Sequence, residues 1–217
     1  MSVKIGLLLT THQVVFPGVQ SILTIRDQAG QLLIQYARET DEPVGVVWHQ
    51  GERLSPVGCR VQIQRIIGHD EQGGLLVAVK GVERFILKEV QYERRYPLGV
   101  VEWWPDVPAE ISTSRRERLI TQHIKWLEQT QQPLRLHVYE QIPFVSYLIA
   151  ANVGLSQQQR QEILELASEA DRIEWLLAYL SQELLQLEQM REVRQQVKSN
   201  GHFSQNPPIL GSSNPEK

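Results

Sequence analysis

The sequence predicts an α+β protein in which a small, partly closed β-barrel or sandwich is followed by a helix-rich part. Three observations carry this expectation. Up to about residue 110, short runs rich in Val and Ile are punctuated by Gly and Pro, and beyond it long Leu-, Gln- and Glu-rich stretches take over. Two runs of two-residue period flank a polar turn that ends in Gly73-Gly74. Near the C-terminus, Ile173, Leu177, Leu180, Leu184 and Leu187 follow a 4-3-4-3 spacing that places them on one helical face.

Taken in order, residues 4–9 and 20–26 read as strands separated by the turn at Pro17-Gly18. Residues 31–39 read as a short helix that offers Leu32, Leu33 and Tyr36 for burial, and residues 44–48 as a buried strand. Alternation over residues 60–68 and 75–79, across the Gly73-Gly74 turn, is a hairpin pattern. Lys80-Gly81 is expected to break the second arm, and residues 82–90 to resume the sheet. Residues 99–104 form a last strand, closed by Pro105 and Pro108.

Residues 114–128 are predicted to be helical and to pack through Leu119, Ile120, Ile124 and Leu127. A short apolar helix is expected at 143–151. Ser156-Gln157-Gln158-Gln159 has the capping-box pattern, and Ser168-Glu169-Ala170-Asp171 its acidic variant. The helix after the second box reaches to about residue 198, roughly 45 Å at 1.5 Å per residue. The expected organisation is thus a strand-rich part over 1–110, a helical part over 111–199 and a disordered tail over 200–217, rich in Ser, Asn, Pro and Gly.

Composition narrows the function classes. Lys and Arg total 22 against 25 Asp and Glu, so the formal net charge is -3 and no overall basic footprint for nucleic acid exists. Cys59 is the only cysteine, which excludes an internal disulfide and a multi-cysteine zinc site. The apolar start of the chain stops at Thr10-Thr11-His12-Gln13 with no small-residue cleavage site, and no run approaches the ~20 apolar residues of a membrane span. A cytoplasmic location is expected.

No catalytic motif is present. G-x-x-x-x-G-K-[ST], G-x-S-x-G and H-E-x-x-H are all absent, and the six histidines never fall at i, i+4 spacing. Cys59 lies in Val57-Gly58-Cys59-Arg60 and reads as a buried apolar group, with no His or Asp in register to activate it. No catalytic residue, metal ligand or cofactor is expected.

The aromatic residues are the candidates for a binding role. Trp103 and Trp104 are adjacent on a strand and so point to opposite faces, one into a core and one toward the helices or a partner. Trp175 and Tyr179 form an i, i+4 pair beside the leucine stripe.

Four blocks, in order, resemble a known family. Val15-Phe16-Pro17-Gly18 is similar to the V-x-F-P-G opening of the N-terminal domain of Lon proteases. Val57-Gly58-Cys59, the Gly73-Gly74 turn and Val79-Lys80-Gly81-Val82-Glu83-Arg84-Phe85 are similar to its next strand, hairpin and [LV]-x-G-x-x-R-[FV] block. Tyr96-Pro97 with residues 100–102 resembles the strand after it, and residues 155–166 and 173–188 its paired helices. Two segments depart from the pattern. Leu9-Thr10-Thr11-His12-Gln13 stands in place of L-P-L-F-P, and Ile25-Arg26-Asp27-Gln28-Ala29 in place of the F-E-x-R-Y of many stand-alone members.

The resemblance implies a PUA-like β-barrel followed by a helical bundle, without the ATPase and protease modules of Lon. It implies a role in recognising exposed or unfolded protein segments; with the catalytic motifs absent, the expectation is a non-enzymatic module, a protease adaptor or chaperone-like factor, to which the aromatic reading adds Trp103, Trp104, Trp175 and Tyr179 as candidate contacts. The alternative it leaves open is RNA binding, since PUA-like barrels also serve RNA-modifying proteins. Arg60, Arg65, Arg84, Lys88, Arg94 and Arg95 would then meet phosphates.

Overall fold

A computed structural model describes residues 2–140 and 144–200. The strands are β1 (Ser2–Thr10), β2 (Gln20–Ile25), β3 (Val44–Gln50), β4 (Arg53–Leu54), β5 (Val57–His69), β6 (Leu75–Gln91) and β7 (Leu98–Trp103). The helices are α1 (Gln28–Thr40), α2 (Thr113–Gln129), α3 (Val145–Asn152), α4 (Gln157–Glu165) and α5 (Glu169–Asn200), with a 3-10 turn at Leu136–Tyr139. This is the α+β arrangement read from the sequence. Of the expected tail, 200–217, Asn200 is the last residue of α5, and 201–217 lie outside the described residues, as does Pro143 of the short helix expected at 143–151.

Five strands pair in a closed circuit. β1 runs parallel to β3 and antiparallel to β7, and the pairs β7–β6, β6–β5 and β5–β3 are all antiparallel. Ile5, Leu7, Val47, Phe85 and Val101 form one small cluster at this circuit. The cluster is tight, for a Cβ at Gly58 would lie 2.4 Å from the Phe85 ring. Leu8, Val44, Val46, Cys59 and Val61 belong to a second core, with Leu33, Ile34 and Ala37 of α1 and Leu23 and Ile25 of β2. α1 begins where Asp27 Oδ1 accepts the Gly30 amide at 2.6 Å. It buries Ile34 and Ala37 with Leu33, while the expected Leu32 and Tyr36 stay half-buried.

β6 departs from expectation. It runs unbroken for 17 residues through Lys80-Gly81. Glycine stands there because the chain at Phe16 crosses against it. A Cβ on Gly81 would fall 2.0 Å from the Phe16 carbonyl oxygen, and Gly18 N and Gly81 N donate to Gly81 O and Val19 O across the contact, both at 2.9 Å. What reads as a strand breaker is a point of close backbone approach.

Helix starts follow the sequence closely. Ser112 caps α2, Ser156 and Gln159 complete a capping box on α4, and Ser168 Oγ accepts the Asp171 amide at 3.1 Å at the start of α5. α2 buries Leu119 and Leu127 as expected, but His123 and Trp126 complete its inner face and Ile120 and Ile124 are only half-buried. They meet the α5 stripe of Ile173, Leu176, Leu177, Leu180 and Leu184. Each such leucine contributes ~1.5–3 kcal/mol relative to exposure.

That core also takes in Val14, Phe16, Val19 and Val57 from the strand-rich part. The Phe16 ring stacks on Tyr147 of α3 with centroids 5.3 Å apart. The Val15-Phe16-Pro17-Gly18 block is therefore the bolt between sheet and helices.

Candidate functional site

The joint between sheet and helices is built around two buried guanidinium groups. Arg84, on β6, is 2% exposed and Arg172, on α5, is fully buried. Arg84 donates to the carbonyls of Leu164, Leu166 and Ala167 and, at 2.7 Å, to Asp106. Asp106 lies on the connection between β7 and α2 and also accepts from Arg172. Arg172 in turn pairs with Glu169, whose carboxylate accepts from the Ser146 amide and hydroxyl.

Aromatic rings close the cluster. Trp104 lies 4.3 Å beneath Arg84, and Tyr147 4.1 Å from Arg172. Burial works against the Arg172 charge, yet its hydrogen bond to Asp106 and the carboxylates of Asp106 and Glu169 outweigh this and hold its pKa above the ordinary value. Burial pushes the Tyr147 phenol up as well.

Chemically this cluster holds parts together. Its carboxylates are committed to guanidinium partners, and Ser146 is completely buried between Glu169 and Arg172. A reacting serine needs a free base and access for substrate, and the cluster offers Ser146 neither. The Cys59 thiol is equally enclosed, and burial pushes its pKa up to about 12, so it stays a thiol at neutral pH. Among the described residues no group of three or more His, Cys, Asp or Glu is placed to hold a metal ion. Among the same residues no helix is long and apolar enough to cross a membrane.

The four aromatic candidates divide. Trp103 packs edge-on against Phe85 with centroids 6.3 Å apart, on the barrel side, and Arg60 lies over its outer face at 5.6 Å. Trp104 points the other way, onto the helical core. Trp175 and Tyr179 stack on each other, 5.6 Å and 15° apart, along the margin of that same core. All four are half-buried. Trp104, Trp175 and Tyr179 thus share one core, and Trp103 belongs to another.

The basic set is less available than its sequence suggests. Arg84 is interior and cannot meet a phosphate. Arg60, Lys88 and Arg94 pair with Glu83, Glu102 and Glu42. Only Arg65 and Arg95 of the six lack an ion-pair partner among the described residues.

A cleft of about 310 Å³ opens on the barrel. Residues 8–13 form one wall and residues 23–27 the other, with Val46 and His49 at its end. Most of the two segments that depart from the Lon pattern thus face each other across it. His49 Nδ1 lies 2.8 Å from the Gly51 carbonyl and donates to it.

Residues 4–182 match the family model of the ATP-dependent protease La (LON) substrate-binding domain. The chain belongs to that family. It is 21% identical over 204 residues to a Lon protease of Cytophaga hutchinsonii, covering 86% of this chain and 25% of that protein. The chain therefore spans about a quarter of the length of this Lon relative. Two solved Lon structures share the fold. A Lon N-terminal domain protein from Xanthomonas campestris has a TM-score of 0.64 at 22% identity, covering 82% of this chain and 98% of that one. The N-terminal domain of Mycobacterium avium complex Lon protease has a TM-score of 0.62 at 18% identity, with the same coverage of each chain. In this member of the Lon family, the arginine of the [LV]-x-G-x-x-R-[FV] block is a buried strut rather than a surface charge.

Proposed function

We propose that this Lon-family domain recognises exposed or extended segments of other proteins, carries out no reaction itself, and acts as an adaptor or chaperone-like factor in the cytoplasm. The observation that carries the reading is the match to a substrate-binding domain over residues 4–182. The titratable groups at the joint between sheet and helices support it, because they are enclosed and committed to one another. Trp175 and Tyr179 offer a half-buried stacked pair, and Leu185, Met190 and Val193 are exposed further along α5. Recognition of this type draws on a few aromatic and apolar anchors.

The test is fluorescence anisotropy with a labelled, permanently unfolded protein, reduced carboxymethylated α-lactalbumin, and its native form. Binding of the unfolded form alone, weakened at least about tenfold by Trp175→Ala with Tyr179→Ala, is the expected outcome. Equal affinity for both forms, or for neither, would contradict it.

A further inference from the structure

β2, β6 and β5 lie side by side with β6 in the middle, and the two faces of this three-stranded sheet differ. Residues directly opposite on antiparallel strands point to the same face. Leu23 opposite Val77, and Val79 opposite Ile63, belong to the core shared with α1. The other face carries two complete rows, Gln20–Lys80–Gln62 and Ile22–Ala78–Arg65, with Thr24 and Leu76 beside them. Ile22 is 56% exposed there and Ile67 44%. Ala78, small and on the central strand, stands between Ile22 and Arg65, so the face is hollow at its middle. The hollow is a trough of about 570 Å³ whose lining includes Gln20, Ile22, Gln64, Arg65, Ile67 and Ala78.

The charge on this face has one sign. Arg65 and Lys80 are exposed, neither has an ion-pair partner among the described residues, and the rows contain no acid. Elsewhere on the same two strands, Arg60 and Lys88 are paired with Glu83 and Glu102. Lys80 stands one same-face position from Ala78, about 7 Å along β6, and Arg65 stands on the next strand, ~4.8 Å across. Two unneutralised cations therefore flank an apolar hollow.

That combination selects among occupants. A two-fold pairing of the face with itself brings cations to cations and supplies no carboxylate. Nucleic acid draws on many phosphate contacts and on aromatic platforms for its bases. This face offers two cations, and its rows hold no aromatic ring. What complements it is a protein segment in which an apolar side chain is set among carboxylates.

We infer that the outer face of β2–β6–β5 docks acidic segments of other proteins, with an apolar side chain seated over Ala78 between Ile22 and Ile67 and carboxylates on Arg65 and Lys80. This rests on the protein-recognition reading above and gives it a second contact surface and a preferred class of partner. Apolar burial supplies affinity, and the two cations select the sign of the partner and speed the encounter.

The experiment is fluorescence anisotropy on the full chain at low salt. The probes are reduced carboxymethylated α-lactalbumin, a labelled Ser- and Gly-rich peptide with Leu set between Asp residues, and its analogue with Lys in place of every Asp. The Asp peptide should bind at least about tenfold more tightly than the Lys peptide. Arg65→Glu with Lys80→Glu should weaken the Asp peptide at least about tenfold and turn the preference toward the Lys peptide, a reversal that loss of structure would not produce. Both side chains are exposed and unpaired, so the unfolding midpoint should stay in place. Ile22→Ser should weaken the Asp peptide at least about threefold. If the unfolded protein binds but the charge reversal leaves the preference unchanged, or Ile22→Ser leaves the affinity unchanged, the docking proposal is overturned and the recognition reading survives. If none of the three probes binds, the recognition reading itself has failed and the proposal with it. Binding of an RNA oligonucleotide that the charge reversal abolishes, with no preference between the peptides, would assign the face to nucleic acid and overturn the proposal.

Discussion

Replacing Arg84 by Met is the perturbation that most directly probes how this domain is joined. The two side chains are similar in length, so the change removes charge and donors with little change in volume. Four acceptors lose a partner. These are the carbonyls of Leu164, Leu166 and Ala167 and one oxygen of Asp106, at distances of 2.6 to 3.3 Å. Asp106 keeps Arg172 and is partly open to water, with 15% of its side chain exposed, so its charge is not stranded.

The loss is therefore dominated by the broken ion pair and the Leu164 carbonyl, since the Leu166 carbonyl keeps Arg172 and the Ala167 carbonyl keeps the Val107 amide. Together these amount to about 3–5 kcal/mol, the range for breaking one side of a buried pair. With a urea slope of ~2 kcal/mol per molar, the unfolding midpoint falls by about 2 M. Arg84→Lys should recover little, because one ammonium cannot reach acceptors that a planar fork spans together. A double-mutant cycle with Asp106→Asn should show a coupling of at least about 1 kcal/mol. A midpoint shift of less than ~0.5 M for Arg84→Met would refute the reasoning and make the cluster incidental. Because Phe16 and Val57 also belong to the helical core, the strand-rich and helical parts are expected to unfold in one transition.

Three further predictions concern single buried groups. His123 is buried beside Tyr139, and loss of solvation lowers its pKa to about 4 from an ordinary 6.5, so the unfolded chain binds the proton more tightly. Stability should be full above about pH 6.5 and fall by up to about 3 kcal/mol toward pH 4, a loss that His123→Phe flattens in urea titrations across that window. Cys59 should resist a maleimide at neutral pH until the chain opens, so that its labelling rate tracks global unfolding; rapid labelling of the native protein would contradict its enclosure. Gly81→Ala should cost at least about 2–3 kcal/mol in thermal unfolding, since the added methyl meets backbone rather than a movable side chain.

Much of this fold was legible because its signals are local. The Gly73-Gly74 hairpin, the Ser156–Gln159 box and the α5 stripe each depend on residues within a few positions of one another, and each stands where its pattern placed it. Arg84 was not legible in that way. Four residues of ordinary strand sequence surround it, and the carbonyls that bind it lie 80 to 83 positions away in Leu164, Leu166 and Ala167. The one available signal was an arginine set between Val82 and Phe85-Ile86-Leu87, on a strand neighbouring a tryptophan pair. Gly81 misled for the same reason, because its partner at Phe16 comes from a distant crossing. On α2, a reading confined to Leu and Ile passed over Trp126 and His123, which complete the buried face.

We propose above that this domain recognises unfolded protein chains through its surface. The most direct measurement is the affinity of the intact chain for reduced carboxymethylated α-lactalbumin against the native form, read by anisotropy at physiological salt. Saturable binding to the unfolded form only, insensitive to competing RNA, is the expected result. Saturable, strongly salt-dependent binding of RNA with no affinity for the unfolded protein would contradict it.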